Sequence, residues 1–125
     1  MYIKRDITEQ IILGAKDSPV VAVIGPRQSG KSTLCKAVFP KHKYVDMQDP
    51  DNLRFALEDP KGFLKANVNE YGIIIDEAQY APILFDVIKV EVDKERHKNG
   101  RYILSGSQNF LLNEKITESL AGRVY

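Results

Sequence analysis

GPRQSGKST at positions 25–33, directly behind the apolar run VVAVI at 20–24, decides how the rest of the chain is read. The stretch spells G-x-x-x-x-G-K-[ST] through Gly25, Gly30, Lys31 and Ser32. Gly25 lets the chain turn sharply out of a strand. Gly30 lets backbone amides approach an anion with no Cβ in the way. Those amides open a helix, whose N-terminal dipole also favours negative charge. Pro26, Arg27, Gln28 and Ser29 form the span between the glycines, and Thr33 follows in the first helical turn. Lys31 is placed to reach the β- and γ-phosphates of a nucleotide, and the Ser32 hydroxyl to ligate Mg²⁺. The plain alternative is a glycine turn with no ligand. The apolar run before it and the helical pattern after it favour the phosphate loop. Arg27 reads equally as a phosphate or partner contact and as a solvent-facing side chain.

Outward from this loop, strand and helix patterns alternate. Residues 6–16 read as a short helix broken by Asp17-Ser18-Pro19. The β-branched run at 20–24 has the pattern of a strand buried on both faces. Residues 31–39 read as a helix that Pro40 stops, and 44–48 as a second strand. From 49 to 69 the pattern is helical, broken at Pro60 and Gly62. Residues 72–76 form another buried strand. Pro82 then suits a first helical position for a helix over 83–98, which Asn99-Gly100 ends. A fourth strand at 101–105 and a last helix at 114–120 complete an α/β layer fold with a parallel sheet. The chain is read as one domain, 1–125.

IIIDE at 73–77 closes a buried strand with two adjacent carboxylates. Asp76 suits Mg²⁺, directly or through water, and Glu77 suits a general base for an attacking water. A solvated strand end is the bland reading; the phosphate loop upstream turns the choice toward function. YILSGSQNF at 102–110 is a third polar strand end. Ser105 is the first candidate there to touch the γ-phosphate or the water, with Ser107 and Gln108 behind it. Turn chemistry is its alternative. No [NT]KxD guanine-reading loop occurs, and the D-x-x-G spelling at 59–62 follows a helical pattern, not a strand. ATP is therefore the expected nucleotide.

Assembled, these residues resemble the N-terminal ATPase half of a prokaryotic AAA-type family whose members add a C-terminal domain of uncharacterised function. The resemblance rests on GPRQSGKSTL (25–34), YVDMQDPD (44–51), IIIDEAQ (73–79), LFDVIKVEVD (84–93), ILSGSQNFLL (103–112) and ITESLAGR (116–123). It implies a three-layer P-loop NTPase of the additional-strand class, with sheet order 5-1-4-3-2. It also implies Lys31 and Thr33 or Ser32 at the phosphates, Asp76 at Mg²⁺, Glu77 as base and Ser105 as sensor. Arg123 falls where an arginine could act in trans on a neighbouring subunit, or serve the structure alone. Because family members run several hundred residues further, the resemblance implies a truncated chain. The fifth strand should be a stub at 123–125, leaving 20–24 as an open sheet edge that invites self-association.

Composition limits the alternatives. A net charge of +1 with 28% charged residues gives no field that points to nucleic acid or membrane. No run approaches the ~18 apolar residues of a spanning helix, and the charged opening YIKRDITEQ has no signal core. Cys35 is the single cysteine, read as a packing residue, and a cytoplasmic setting is expected. His42 and His97 stand without His or Cys partners, against a metal role. The leading function is Mg²⁺-dependent hydrolysis of ATP to ADP and phosphate, driving a conformational switch and weak in so short a chain. A module that holds ATP with negligible turnover is second. A P-loop kinase is third, disfavoured by the Asp76–Glu77 pair.

Overall fold

The computed structural model describes the backbone of residues 2–26, 30–95, 98–107 and 110–125, with side chains except at 2–6 and 110–113. Arg27, Gln28, Ser29, His97 and Gln108 lie outside the described residues. In chain order the elements are α1 (Tyr2–Asp17), β1 (Val20–Gly25), α2 (Lys31–Val38), β2 (Lys43–Asp46), α3 (Pro50–Glu58) and α4 (Pro60–Asn67). There follow β3 (Ile73–Asp76), a 3₁₀ turn (Ala78–Tyr80), α5 (Ile83–Lys94), β4 (Tyr102–Ser107) and α6 (Phe110–Leu120). The strands pair in parallel in the order β1-β4-β3-β2.

Period-two alternation sorts each strand between two cores. Val21, Ile74 and Ile103 pack with Ile11 of α1 and Cys35 of α2 on one face. Val20, Val45, Ile73, Ile75 and Leu104 pack on the other against Phe63, Phe85, Ile88 and Leu120 from α4 to α6. A sheet between two helical layers results, and its β3 is buried throughout. The expected α/β class and the order of the four strands hold.

Several boundaries differ from the sequence reading. α1 starts at Tyr2 and α6 at Phe110, both earlier than expected. β2 ends at Asp46 because the Asp46 carboxylate accepts the Gln48 N–H at 2.9 Å and turns the chain. The 49–69 pattern divides at Asp59, whose backbone ends α3 and whose side chain accepts the Gly62 N–H to open α4. Gly62 thus lies inside a helix, not at a break. α5 stops at Lys94, and Pro82 is its N-cap, not its first helical residue.

The edge of β1 is a further correction. Val124 bridges Val20 in parallel. The Val20 N–H donates to the Arg123 carbonyl at 3.2 Å, Tyr125 N–H to Val20 C=O at 2.9 Å, and Ala22 N–H to Tyr125 C=O at 3.1 Å. The stub at 123–125 therefore covers the start of the strand expected to lie open. It occupies the fifth position of the order 5-1-4-3-2.

One glycine is required by the sheet. Gly72 has φ +140, and a Cβ there would stand 2.2 Å from the Arg101 carbonyl oxygen, which accepts the Ile73 N–H that begins the β3–β4 ladder. Gly72→Ala should lower unfolding free energy by at least about 1–3 kcal/mol, read from urea denaturation. An unchanged midpoint would contradict this account of the strand entry.

Candidate functional site

Ser32, Asp76, Glu77, Ser105 and Lys31 meet at the C-terminal end of the sheet, where β1, β3 and β4 end beside the start of α2. Gly30, at φ 83, is the N-cap of α2, and that left-handed conformation is one that glycine adopts without strain. Lys31 is buried, with Nζ donating to the Pro26 carbonyl at 3.0 Å, so the loop holds its own lysine. Ser32 Oγ donates to Asp76 Oδ2 at 2.6 Å. Thr33 is exposed, so of the two hydroxyls only that of Ser32 faces the acidic strand end.

Asp76 collects four donors. Ser32 and the Tyr44 hydroxyl, at 2.6 and 2.5 Å, share Oδ2. Ser105 Oγ and the Glu77 N–H, each at 2.9 Å, share Oδ1. Burial works to raise the Asp76 pKa, but these bonds from Ser32, Tyr44, Ser105 and Glu77 outweigh it and hold the carboxyl below its ordinary value. Burial raises the Tyr44 phenol, helped by its bond to Asp76. Burial, with the Asp76 charge, pushes the Cys35 thiol up to about 12, which makes it a packing residue and not a nucleophile.

Glu77 has φ 52, the one non-glycine residue with positive φ among those described. In a regular strand, neighbouring side chains point to opposite faces. The left-handed turn at Glu77 breaks that alternation, so both carboxylates follow one face of β4: Ser105 reaches Asp76, and Ser107 reaches Glu77 Oε1 at 3.4 Å. Gln79 Nε2 also donates to Glu77 Oε1, at 2.7 Å, while its own buried Oε1 has no partner. A left-handed glutamate costs on the order of 1 kcal/mol.

Beside the loop lies a cleft of about 440 Å³ between α1 and β1, lined by Ile7, Ile11, Ile24, Pro26, Leu34 and Tyr125 among others. Its apolar walls run into Gly25 and Lys31. The donor set suits a hard cation: a serine hydroxyl and a carboxylate, with no thiolate or imidazole between them. Among the described residues no three His, Cys, Asp or Glu side chains converge on one point.

Sequence reasoning missed Tyr44 and Gln79 as members of this cluster. The signal for Tyr44 was present: with β2 beside β3, period two puts Tyr44 on the face of Ile74 and Asp76. Arg123 does not face the cluster; Nε and Nη2 hold Asp93 of α5 at 2.7 and 3.0 Å, and Nη1 donates to the Ala121 carbonyl. His42 Nε2 donates to the Gly100 carbonyl at 2.7 Å.

A family model described as an AAA domain matches residues 17–125. The chain belongs to the AAA domain family. Uncharacterised proteins of Mycobacterium bovis and Mycobacterium tuberculosis are each 38% identical over 126 residues, covering 97% of this chain and 27% of their own length. The chain thus spans about a quarter of the curated relatives it matches. Among solved structures, that of C. elegans PCH-2 superposes with a TM-score of 0.59 at 12% identity, over 98% of this chain and 41% of that one. At that identity the likeness concerns the fold alone. This AAA domain is a nucleotide-binding module of the ATPase class, and no described helix is long and apolar enough to cross a membrane.

A depressed Asp76 pKa sets a sign for stability against pH. The folded state binds fewer protons there than the unfolded chain, so its contribution is present above the ordinary carboxyl value of 3.8 and is lost as pH falls through the lower folded value. Asp76→Asn should flatten the acid limb of a urea-midpoint profile taken between about pH 7 and 3. An acid limb as steep as wild type would remove Asp76 from that role.

Proposed function

We propose that this AAA domain hydrolyses ATP to ADP and phosphate with Mg²⁺, and that the cycle switches its conformation within a longer protein. The observation that carries the reading is the Ser32–Asp76 bond at 2.6 Å, which ties the phosphate-loop helix to the acidic strand end, with Glu77 next in the chain. The loop at 25–33 cradles the phosphates through its amides, and Lys31 leaves the Pro26 carbonyl to neutralise the β- and γ-oxygens. The apolar cleft between α1 and β1 takes the base and ribose.

Ser32 and Asp76 hold Mg²⁺, which supplies charge neutralisation at the phosphate oxygens. Ser32 keeps its proton on Asp76 while offering an oxygen lone pair outward. Glu77 accepts the proton of the attacking water; its Oε1 is engaged by Gln79, so Oε2 is the oxygen assigned to that work. Ser105 holds Asp76 Oδ1 from within β4 and acts as the sensor of the γ-phosphate through that bond. Residues 1–125 act as the N-terminal portion of such an ATPase, cytoplasmic in setting, and self-association belongs to the same reading.

A second reading has its own support. Gln79 holds Glu77 Oε1 at 2.7 Å, and a base so engaged suits a module that keeps ATP bound with negligible turnover. Kinase chemistry has no comparable observation.

Lys31→Ala removes a charge-assisted contact worth about 1.5–3 kcal/mol, so MgATP affinity by calorimetry should fall roughly ten- to over a hundredfold. Affinity equal to wild type would end the phosphate-loop reading. Glu77→Gln should leave ATP binding in place and cut phosphate release by about 10²–10⁴. Equal release rates would take Glu77 out of the base role, and no release from wild type would select the second reading.

A further inference from the structure

The Tyr44 hydroxyl has no part in the mechanism above, yet it sits on the carboxylate at the centre of the site. A carboxylate offers about four acceptor positions. Ser32, Tyr44, Ser105 and the Glu77 N–H fill them, two on each oxygen. Any further donor directed at Asp76, including water in the shell of a bound cation, must displace one of these.

The four are not equally replaceable. Ser105 is buried at the middle of the sheet, on the strand between β1 and β3. The Glu77 N–H is fixed by the left-handed turn that follows Asp76. Ser32 can bind a cation through a lone pair without giving up its bond to Asp76. Tyr44 is half-buried and stands on β2, the outermost strand of the order β1-β4-β3-β2. From α2, Lys36 Nζ lies over its ring, 4.0 Å from the centroid. Its backbone pairs with Ile74, so the ring can swing while the strand register stays.

We infer that Tyr44 is a placeholder: its hydroxyl competes with hydrated Mg²⁺ for Asp76 Oδ2 and so sets how much Mg²⁺ the nucleotide site needs. This rests on the nucleotide reading above and assigns a positioning role to a residue outside the phosphate loop. In the absence of cation the phenol satisfies Oδ2 and keeps Asp76 aimed at Ser32. In its presence the phenol withdraws.

The test is Tyr44→Phe, which keeps the ring and its packing and removes only the hydroxyl. ATP affinity is measured by calorimetry from EDTA up through millimolar Mg²⁺. The half-saturating Mg²⁺ concentration should fall roughly ten- to over a hundredfold, the size of one released charge-assisted bond, with affinity in EDTA unchanged. The chain has no tryptophan, so its tyrosine emission can be read directly. Wild-type emission should change with MgATP but not with ATP in EDTA, and the change should be absent from the variant. An unchanged or higher Mg²⁺ requirement would overturn the placeholder role. A loss of affinity in EDTA would overturn it too, since the phenol would then be touching nucleotide. Should the variant not fold, wild-type emission that ignores Mg²⁺ is enough to reject the proposal. A wild type that binds no MgATP at any concentration would instead strike the nucleotide reading itself.

Discussion

Donors from the helix after the loop, from two neighbouring strands and from the turn that follows converge on the Asp76 carboxylate. Ser32 arrives from α2, Tyr44 from β2, Ser105 from β4, and the Glu77 N–H from the turn itself. A buried charge is tolerated only when so surrounded; removing its partners would leave several kcal/mol of desolvation unopposed. The constraint therefore runs outward. α2 must begin where Ser32 meets β3, and β4 must lie between β1 and β3 so that Ser105 stands beneath Asp76. The parallel order of the sheet meets both demands.

The chemistry grows from the same centre. Because Glu77 turns left-handed, the next carboxylate follows the same face as Asp76 instead of alternating away. Two acids with separate surroundings result: Asp76 held ionised by its donors, Glu77 attached through one oxygen to Gln79 and Ser107. This backbone strain lies at the strand end beside the glycine loop, at the place proposed above for the reaction. The backbone cost at Glu77 is small against the stability of a domain of this size.

Much of this was legible in the sequence, and the reasons can be named. Buried parallel strands have continuous apolar runs, so VVAVI and IIID stood out, and the loop motif fixed what followed the first of them. Ser32 was legible from its place in that motif, and Asp76 and Ser105 as polar residues that close apolar runs. Other features depended on contacts no local pattern encodes. The end of β2 turned on the Asp46 side chain capturing its own chain, and α5 stopped at Lys94 within a polar stretch that has no breaker. Tyr44 was read only as part of the strand at 44–48; pairing β2 with β3 turns it toward a carboxylate. Arg123 offered a charge without an address, and Asp93, on a helix 30 residues earlier, supplied one.

The central claim is that a nucleotide and its cation share the end of the sheet organised by Asp76. Amide chemical shifts followed by ¹⁵N nuclear magnetic resonance test it most directly, with ATP in EDTA and then with MgATP. ATP alone should move Gly25, Gly30 through Leu34 and the cleft beside α1. Adding Mg²⁺ should move Tyr44, Asp76, Glu77 and Ser105 through Ser107 as well. Shifts confined to other parts of the fold, such as the space between α4 and α5, or no second set of shifts with Mg²⁺, would contradict the account.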